Sequence, residues 1–399
     1  MSELDRRQVL KYLAALGATS AVPSLAACGD SAGNNGGVNN AGPVRIGMLA
    51  PQSGIYEVIG EDLIKGFELY LQLHDNKLGG RDVTLIKADE GETADSGKPA
   101  AERLIKNEDV LALTGVVNSN VMLAIKDLVE TSRVPLIGSN ASPTTLQGAK
   151  YIWRTSYVND EPGKALGRYL AENLPGKGPL YLIAADYQAG KDEINGLLDT
   201  FRQSDGVVWG QPVYTPFVPP TKNFAPYLSA IKNSNAKAVF CFYAGSSAVD
   251  FVKQYQAAKI ELPLYAPGFL TEGQVLQSQA DAAQGIYTAM NYAIDLDNAA
   301  NRAFAAEFQK NNDRGPTTYA MASYDAAAVL DKAIALAGRD LDRISLNLAL
   351  GQVGQIDSPR GAWQFNQTRT PQQKWYLRQV RMDGTVLSNT LVSELTTLG

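Results

Sequence analysis

The chain has 399 residues, 45% hydrophobic and 19% charged, an ordinary globular composition and too long for a single core, so two domains are expected. Its net charge of −5, with no long basic run, argues against nucleic acid as a partner. One histidine and two cysteines are too few for a His/Cys metal site, and no cofactor is expected.

Residues 1–28 read as a targeting segment. Arg6, Arg7 and Lys11 open it, and a short, broken apolar stretch and small residues follow; the stretch cannot span a bilayer. Arg6-Arg7 ahead of Val9-Leu10-Lys11 resembles a twin-arginine export signal, with the general secretory route as the alternative. Leu25-Ala26-Ala27-Cys28 resembles a bacterial lipobox, in which Cys28 is acylated after cleavage. The bland alternative is a chance cysteine beside an ordinary cleavage site. Residues 29–42, rich in Gly and Asn, read as a flexible tether. Together these features predict an extracytoplasmic protein held at the outer face of the cell membrane by a lipid anchor. Cys241, in the apolar run "AVFCFY", then reads as a buried core residue with no disulfide partner.

The body alternates strands and helices. Strands are predicted at 44–50, 83–88, 110–116 and 134–138, with helices through Leu63, Phe67, Leu71 and His74, over 97–107 and over 119–132. The pattern restarts at 178–186. A helix near 190–204, an edge strand at 212–217, a strand at 236–245, a helix at 246–258 and a strand at 263–268 follow. A helix at 319–337 and a hairpin-like segment at 363–384 complete the chain. Such alternation implies α/β architecture, parallel sheets with helices on both faces, in two units.

Open α/β sheets bind ligands beyond the carboxyl ends of their strands. The residues at those ends are small, hydroxylic or aromatic. After the first strand come Ser53 and Tyr56; after the third, Asn118 and Ser119; after the fourth, Ser139, Asn140, Ala141 and Ser142. Hydroxyls, amides and helix-start N–H groups can hold a carboxylate without an arginine. The same residue types also cap helices, and both uses stay open. In the second unit Tyr187, Phe242, Tyr243 and Phe269 stand at the equivalent edge, as core, as rim or as the apolar side of a pocket. Neither a Ser–His arrangement, nor Gly-x-Ser-x-Gly, nor a Gly-x-x-x-x-Gly-Lys-Ser/Thr loop occurs, so no enzyme is expected.

The stretches "VRIGMLAPQSGIYEVIGEDLIKGFELYLQ", "NKLGGRDVTLIKAD", "LALTGVVNSNVMLAI", "VPLIGSNASPTTL", "YIWRTSYVNDEPGKALGRYL", "AADYQAG" and "YAMASYDAAAVL" together resemble the type I periplasmic solute-binding proteins, leucine/isoleucine/valine-binding branch, over about 43–384. The resemblance implies two doubly wound α/β lobes joined by three hinge crossings near Val158–Glu161, Asn291–Ala293 and Ile356–Arg360. Lobe 1 is expected at 43–160 plus 293–356 and lobe 2 at 161–291 plus 357–399. It implies a monomer that binds a small carboxylate between the lobes and serves ABC permease subunits. It also implies contacts from Asn118, Ser119, Ser139–Ser142, Tyr187 and Tyr243, so that the expected ligand set is Ser53, Tyr56, Asn118, Ser119, Ser139, Asn140, Ala141, Ser142, Tyr187, Tyr243 and Phe269. Amino-acid-binding members carry an acidic residue where this chain has "GFLTEG", with Glu272 a few residues late. A buried ammonium without a counter-charge is expensive, which favours a hydrophobic or aromatic acid over a branched-chain amino acid. The other class of function open to such a fold is a ligand-sensing domain for a receptor or regulator. No signalling domain follows Gly399, which favours delivery.

Overall fold

The computed structural model describes residues 42–399; the targeting segment, Cys28 and nearly all of the tether lie outside the described residues. Six strands form the first sheet: β1 (Val44–Ala50), β2 (Lys77–Leu78), β3 (Arg81–Asp89), β4 (Ala112–Gly115), β5 (Leu136–Gly138) and β6 (Ile152–Arg154), in the order β2-β3-β1-β4-β5-β6. All pairs are parallel except the two-residue β2 against β3. The strands are short and apolar, and β4 and β5 are buried throughout, because helices cover both faces.

Seven strands form the second sheet: β7 (Leu180–Ala185), β8 (Val213–Thr215), β9 (Ala238–Phe242), β10 (Leu264–Pro267), β11 (Tyr287–Met290), β12 (Gln373–Asp383) and β13 (Val386–Leu398). Their order is β13-β12-β11-β10-β9-β7-β8. β8 to β11 pair in parallel through β7, and β12 and β13 close the edge antiparallel. The sequence placed a hairpin within 363–384, whereas the ladder joins β12 to β13 and turns at Gly384. Residues 363–371 supply only isolated bridges. β13 has no buried residue and no regular alternation, so it carries too little hydrophobic signal to read as a strand alone.

The helices are α1 (Glu57–Leu73), α2 (Ala94–Glu102), α3 (Ser119–Ser132), α4 (Glu161–Asn173), α5 (Gln188–Gln203), α6 (Ala225–Lys232), α7 (Gly245–Ala257), α8 (Gln274–Gln279), α9 (Ala299–Asn312), α10 (Thr318–Ala337) and α11 (Arg343–Leu350). α10 packs along α1, and the Tyr70 hydroxyl donates to Asp331 at 2.8 Å. A late helix thus returns to the first sheet. The chain passes to the second sheet after β6, comes back after β11 and leaves again before β12.

These three passages meet at one atom. The Ser156 carbonyl accepts from Asn291 Nδ2 at 2.9 Å, Arg360 Nη1 at 3.0 Å and Gln373 Nε2 at 2.9 Å. Arg360 is itself paired with buried Asp325 at 2.7 Å, and the Trp363 indole donates to the same carboxylate at 2.9 Å. One carbonyl from the first passage therefore gathers donors from the other two. Both halves are tied to a common, fully buried polar knot.

Candidate functional site

In the first sheet β1 lies between β3 and β4; in the second, β7 lies between β8 and β9. The connections leaving the carboxyl ends of these strands diverge to opposite faces, and a crevice opens where they part. The two crevices face each other across a small cavity. From the first half come Tyr56 and Ile59 at the start of α1, Val117 and Ser119 at the start of α3, Asn140 and Ala141 after β5, and Tyr319 from α10. Tyr157 and Asn159 enter from the first passage. The second half gives Tyr187, Ala189 and Glu193 at the start of α5, Phe242 and Ala244 at the end of β9, and Phe269 after β10.

The wall is six aromatic rings interleaved with small residues and a few amides and hydroxyls. Phe242 meets Phe269 edge to face at 6.0 Å between centroids, and Tyr157 lies 5.3 Å from Phe269. The Tyr56 hydroxyl donates to that of Tyr187 at 3.0 Å, a bond between the two halves. Burial raises the Tyr56, Tyr157, Tyr187 and Tyr319 hydroxyls well above the usual phenol range, so all four stay protonated. Asn159 Nδ2 donates to Ser119 Oγ at 3.0 Å and to Asp192 Oδ2 at 3.1 Å, while its Oδ1 accepts from Ser142 N at 3.0 Å. Thr144 Oγ1 adds a further bond to Asp192 at 3.0 Å. Gly245, the first residue of α7, has φ +57, and a Cβ there would lie 2.0 Å from the Ile55 carbonyl oxygen. Only glycine lets the two halves approach so closely.

The cavity is about 20 Å³, room for little more than a water. An apolar cavity of about 150 Å³ is what admits a benzene ring. Larger clefts lie elsewhere; one of about 510 Å³ sits at the opposite end of β1, where Arg45 and Arg343 are already paired with Glu108 and Asp109. It gathers neither strand carboxyl ends nor rings.

Of the residues singled out from sequence, the cavity brings together Tyr56, Ser119, Asn140, Ala141, Tyr187 and Phe269. Ser53, Asn118, Ser139, Ser142 and Tyr243 lie off its wall. Ser53 is exposed and its hydroxyl donates to Asp89 at 2.8 Å. Asn118 is the helix cap: its Oδ1 accepts from Asn120 N at 2.8 Å and its Nδ2 donates to the Glu92 carbonyl at 2.7 Å. The N–H groups of Val117 and Asn118, which the sequence offered to a foreign anion, are taken by the oxygens of the buried Glu90 carboxyl at 2.7 Å each. Ser139 and Ser142 are buried behind the wall, and Ser142 N is held by Asn159. Tyr243 points away because neighbouring residues at the end of a strand face opposite sides; its ring stacks on Phe251 and its hydroxyl meets Thr215 at 3.2 Å. Phe242 takes the inward side. Glu272 is bound by Arg378 at 2.7 Å and by Thr318 N at 2.8 Å.

Sequence reasoning did not single out Tyr157, Asn159, Glu193 or Tyr319, and it named Phe242 at the strand edge but left it out of the expected ligand set in favour of Tyr243. Strand parity was the available signal for Phe242. Glu193, six residues past Tyr187 on an amphipathic helix, gave none, since acidic helix residues are ordinarily solvated. Among the described residues no cluster of His, Cys, Asp or Glu could hold a metal ion, and no helix is long and apolar enough to cross a membrane.

A family model described as periplasmic binding protein matches residues 43–385. The Leu/Ile/Val-binding protein homolog 6 of Brucella melitensis is 28% identical over 354 residues, covering 86% of this chain and 89% of the relative. Among solved structures, an ABC-transporter solute-binding protein from R. palustris in complex with benzoate superposes with a TM-score of 0.83 at 30% identity, over 89% of this chain and 97% of that one. Another, from Rhodopseudomonas palustris BisB5 in complex with 3,4-dihydroxybenzoic acid, gives 0.83 at 25% identity, over 90% and 98%. A leucine-binding protein from Thermotoga maritima, 19% identical with a TM-score of 0.79 over 88% and 98%, shares the fold.

Proposed function

The chain belongs to the periplasmic binding protein family, a family of binding proteins and not of enzymes, and we propose that it captures a small aromatic or hydrophobic carboxylate as the extracytoplasmic solute-binding protein of an ABC importer. The observation that carries the ligand class is the make-up of the cavity wall: six rings with Ser119, Asn140 and Asn159, and no Lys, Arg or His. Rings supply the apolar body of a pocket, and a few placed hydroxyls and amides orient the acid group. Glu272 is fully used by Arg378 and Thr318, so it offers nothing to a ligand ammonium. The relatives in complex with benzoate and 3,4-dihydroxybenzoic acid support the same reading.

In this proposal Tyr56, Ser119, Asn140, Ala141, Tyr187 and Phe269 contact the ligand, joined by Tyr157, Phe242 and Tyr319. The two halves, 43–160 plus 293–356 and 161–291 plus 357–399, part around the knot at Ser156 to admit it and close behind it. Cys28 carries the lipid anchor, the partners are ABC permease subunits, and the protein acts as a monomer. A second reading, a branched-chain amino acid, draws on one observation: Glu193 lines the cavity with an oxygen that has no partner and could meet an ammonium.

A thermal-shift panel decides between them. Benzoate, 4-hydroxybenzoate and 3,4-dihydroxybenzoate are set against leucine, isoleucine and valine. A ligand at a hundred times its dissociation constant adds about 2.7 kcal/mol of stability. Stabilisation by aromatic acids alone is the expected result; stabilisation confined to the three amino acids overturns the assignment.

A further inference from the structure

Two buried polar atoms on the cavity wall have no hydrogen-bond partner: Glu193 Oε1 and the Tyr319 hydroxyl. Glu193 is 1% exposed, and its other oxygen, Oε2, accepts from Gly163 N at 3.0 Å. Its helix cannot turn it outward. α4 and α5 pack backbone to backbone, and a Cβ on Gly163 would lie 2.3 Å from the Glu193 carbonyl oxygen. The carboxyl is therefore fixed with one oxygen satisfied and one waiting.

Resting on the aromatic-carboxylate reading, we propose that Glu193 in its neutral acid form is the specificity-determining group of the cavity, donating from Oε1 to an oxygen of the bound acid. The argument is one of charge. An anionic ligand enters a wall without a cation, and an ionised Glu193 would face it as a like charge in a dry site. Protonation turns that repulsion into a hydrogen bond. Three carboxyls around Glu193 favour its neutral form, Asp160 and Glu161 at the start of α4 and Asp192 beside it on α5, while the nearby Tyr157 and Tyr187 hydroxyls stay protonated and uncharged. The nearby ammonium of Lys164 is held by Asp160 at 2.6 Å. Burial, reinforced by those three carboxyls, raises the Glu193 carboxyl well above the usual range, against the pull of Gly163 N. The neutral acid also rejects amino acids, since it has no countercharge for an ammonium.

When the halves part, Glu193 meets water and ionises more readily; closure on a ligand then draws one proton from solvent onto Oε1. Calorimetry of benzoate binding in buffers of different ionisation heat is expected to show proton uptake. Affinity is expected to fall with rising pH above the open-state pKa, approaching about tenfold per pH unit. Benzoate, a carboxylic acid with an ordinary pKa near 4, stays ionised throughout a pH 6 to 9 series. The variant Glu193→Gln keeps a donor at that position and is expected to bind benzoate with no proton uptake and a flat pH profile. The wild-type proton count stands by itself if the variant does not fold. Benzoate binding with no proton exchange and no pH dependence overturns the inference alone, leaving the ligand class intact. Leucine binding whose affinity rises with pH overturns it by assigning the ionised carboxyl to an ammonium. If none of the three aromatic acids binds at any pH, the ligand reading fails and takes this inference with it.

Discussion

Asn159 joins three segments of the site, and replacing it by aspartate tests that junction with almost no change of shape. Its Nδ2 lies 3.1 Å from Asp192 Oδ2, and the residue is 2% exposed. In Asn159→Asp a carboxylate oxygen takes the place of that nitrogen, the attraction becomes a repulsion, and at an effective dielectric of 20 two unit charges about 3 Å apart repel by about 5 kcal/mol. The protein can avoid this by protonating one of the pair, but at pH 7 protonating a carboxyl of pKa near 4 costs about 4 kcal/mol. Either route predicts a loss of about 4 kcal/mol at neutral pH.

The sign of the pH dependence follows from the proton. Asp192 is already raised by burial, and the new neighbour raises the pair further, so the folded variant holds a proton that the unfolded chain releases above about pH 4. Stability is fully present below that pH and is lost as pH rises through the folded-state value. Denaturant unfolding of wild type and variant at pH 5 and pH 8 should show a gap that widens with pH. If the halves separate to relieve the repulsion, the same energy moves into benzoate affinity, about a thousandfold weaker at pH 8. Asn159→Ala, which deletes the hydrogen bonds without adding a charge, serves as the control, with a weaker pH dependence than Asn159→Asp. Unfolding free energy and benzoate affinity both unchanged at pH 8 would refute the junction.

Three other outcomes follow from the geometry. Tyr243→Phe removes the bond to Thr215 and should lower stability by about 1 kcal/mol with benzoate affinity unchanged; Phe242→Leu should weaken benzoate two- to tenfold through the lost ring contact with Phe269, both read by calorimetry and thermal melts. In Glu90→Gln an amide N–H faces a buried backbone N–H, at a cost of about 1–3 kcal/mol. Burial pushes the Glu90 carboxyl up to about 8, above its unfolded value, so wild type loses stability as pH rises from about 4.5 towards 8, whereas the variant lacks that slope. Asp325→Ala leaves the buried Arg360 unpaired at the crossing knot and should destabilise by about 3–5 kcal/mol in chemical unfolding, a loss comparable with that of Asn159→Asp.

The alternation of short apolar strands with amphipathic helices was written locally, in runs such as Val44–Ala50 and Leu180–Ala185, and local hydrophobic periodicity is enough to place strand ends and hence the region of the site. Tyr56, Ser119, Asn140, Ala141, Tyr187 and Phe269 were accessible by that route because they follow strands directly. What an exposed-looking polar group finally touches is not local. The N–H groups ahead of α3 looked open to an outside anion until Glu90, 27 residues earlier than Val117, filled them. Glu193 carried no sequence signal and was buried only by the packing of α4 over it at Gly163, and Tyr243 exchanged roles with Phe242 through the parity of a single strand. The order of elements came from the chain itself. The pairing of donors with acceptors was decided only when distant segments met, because a buried polar group's energy depends on its partner and not on its own sequence neighbours.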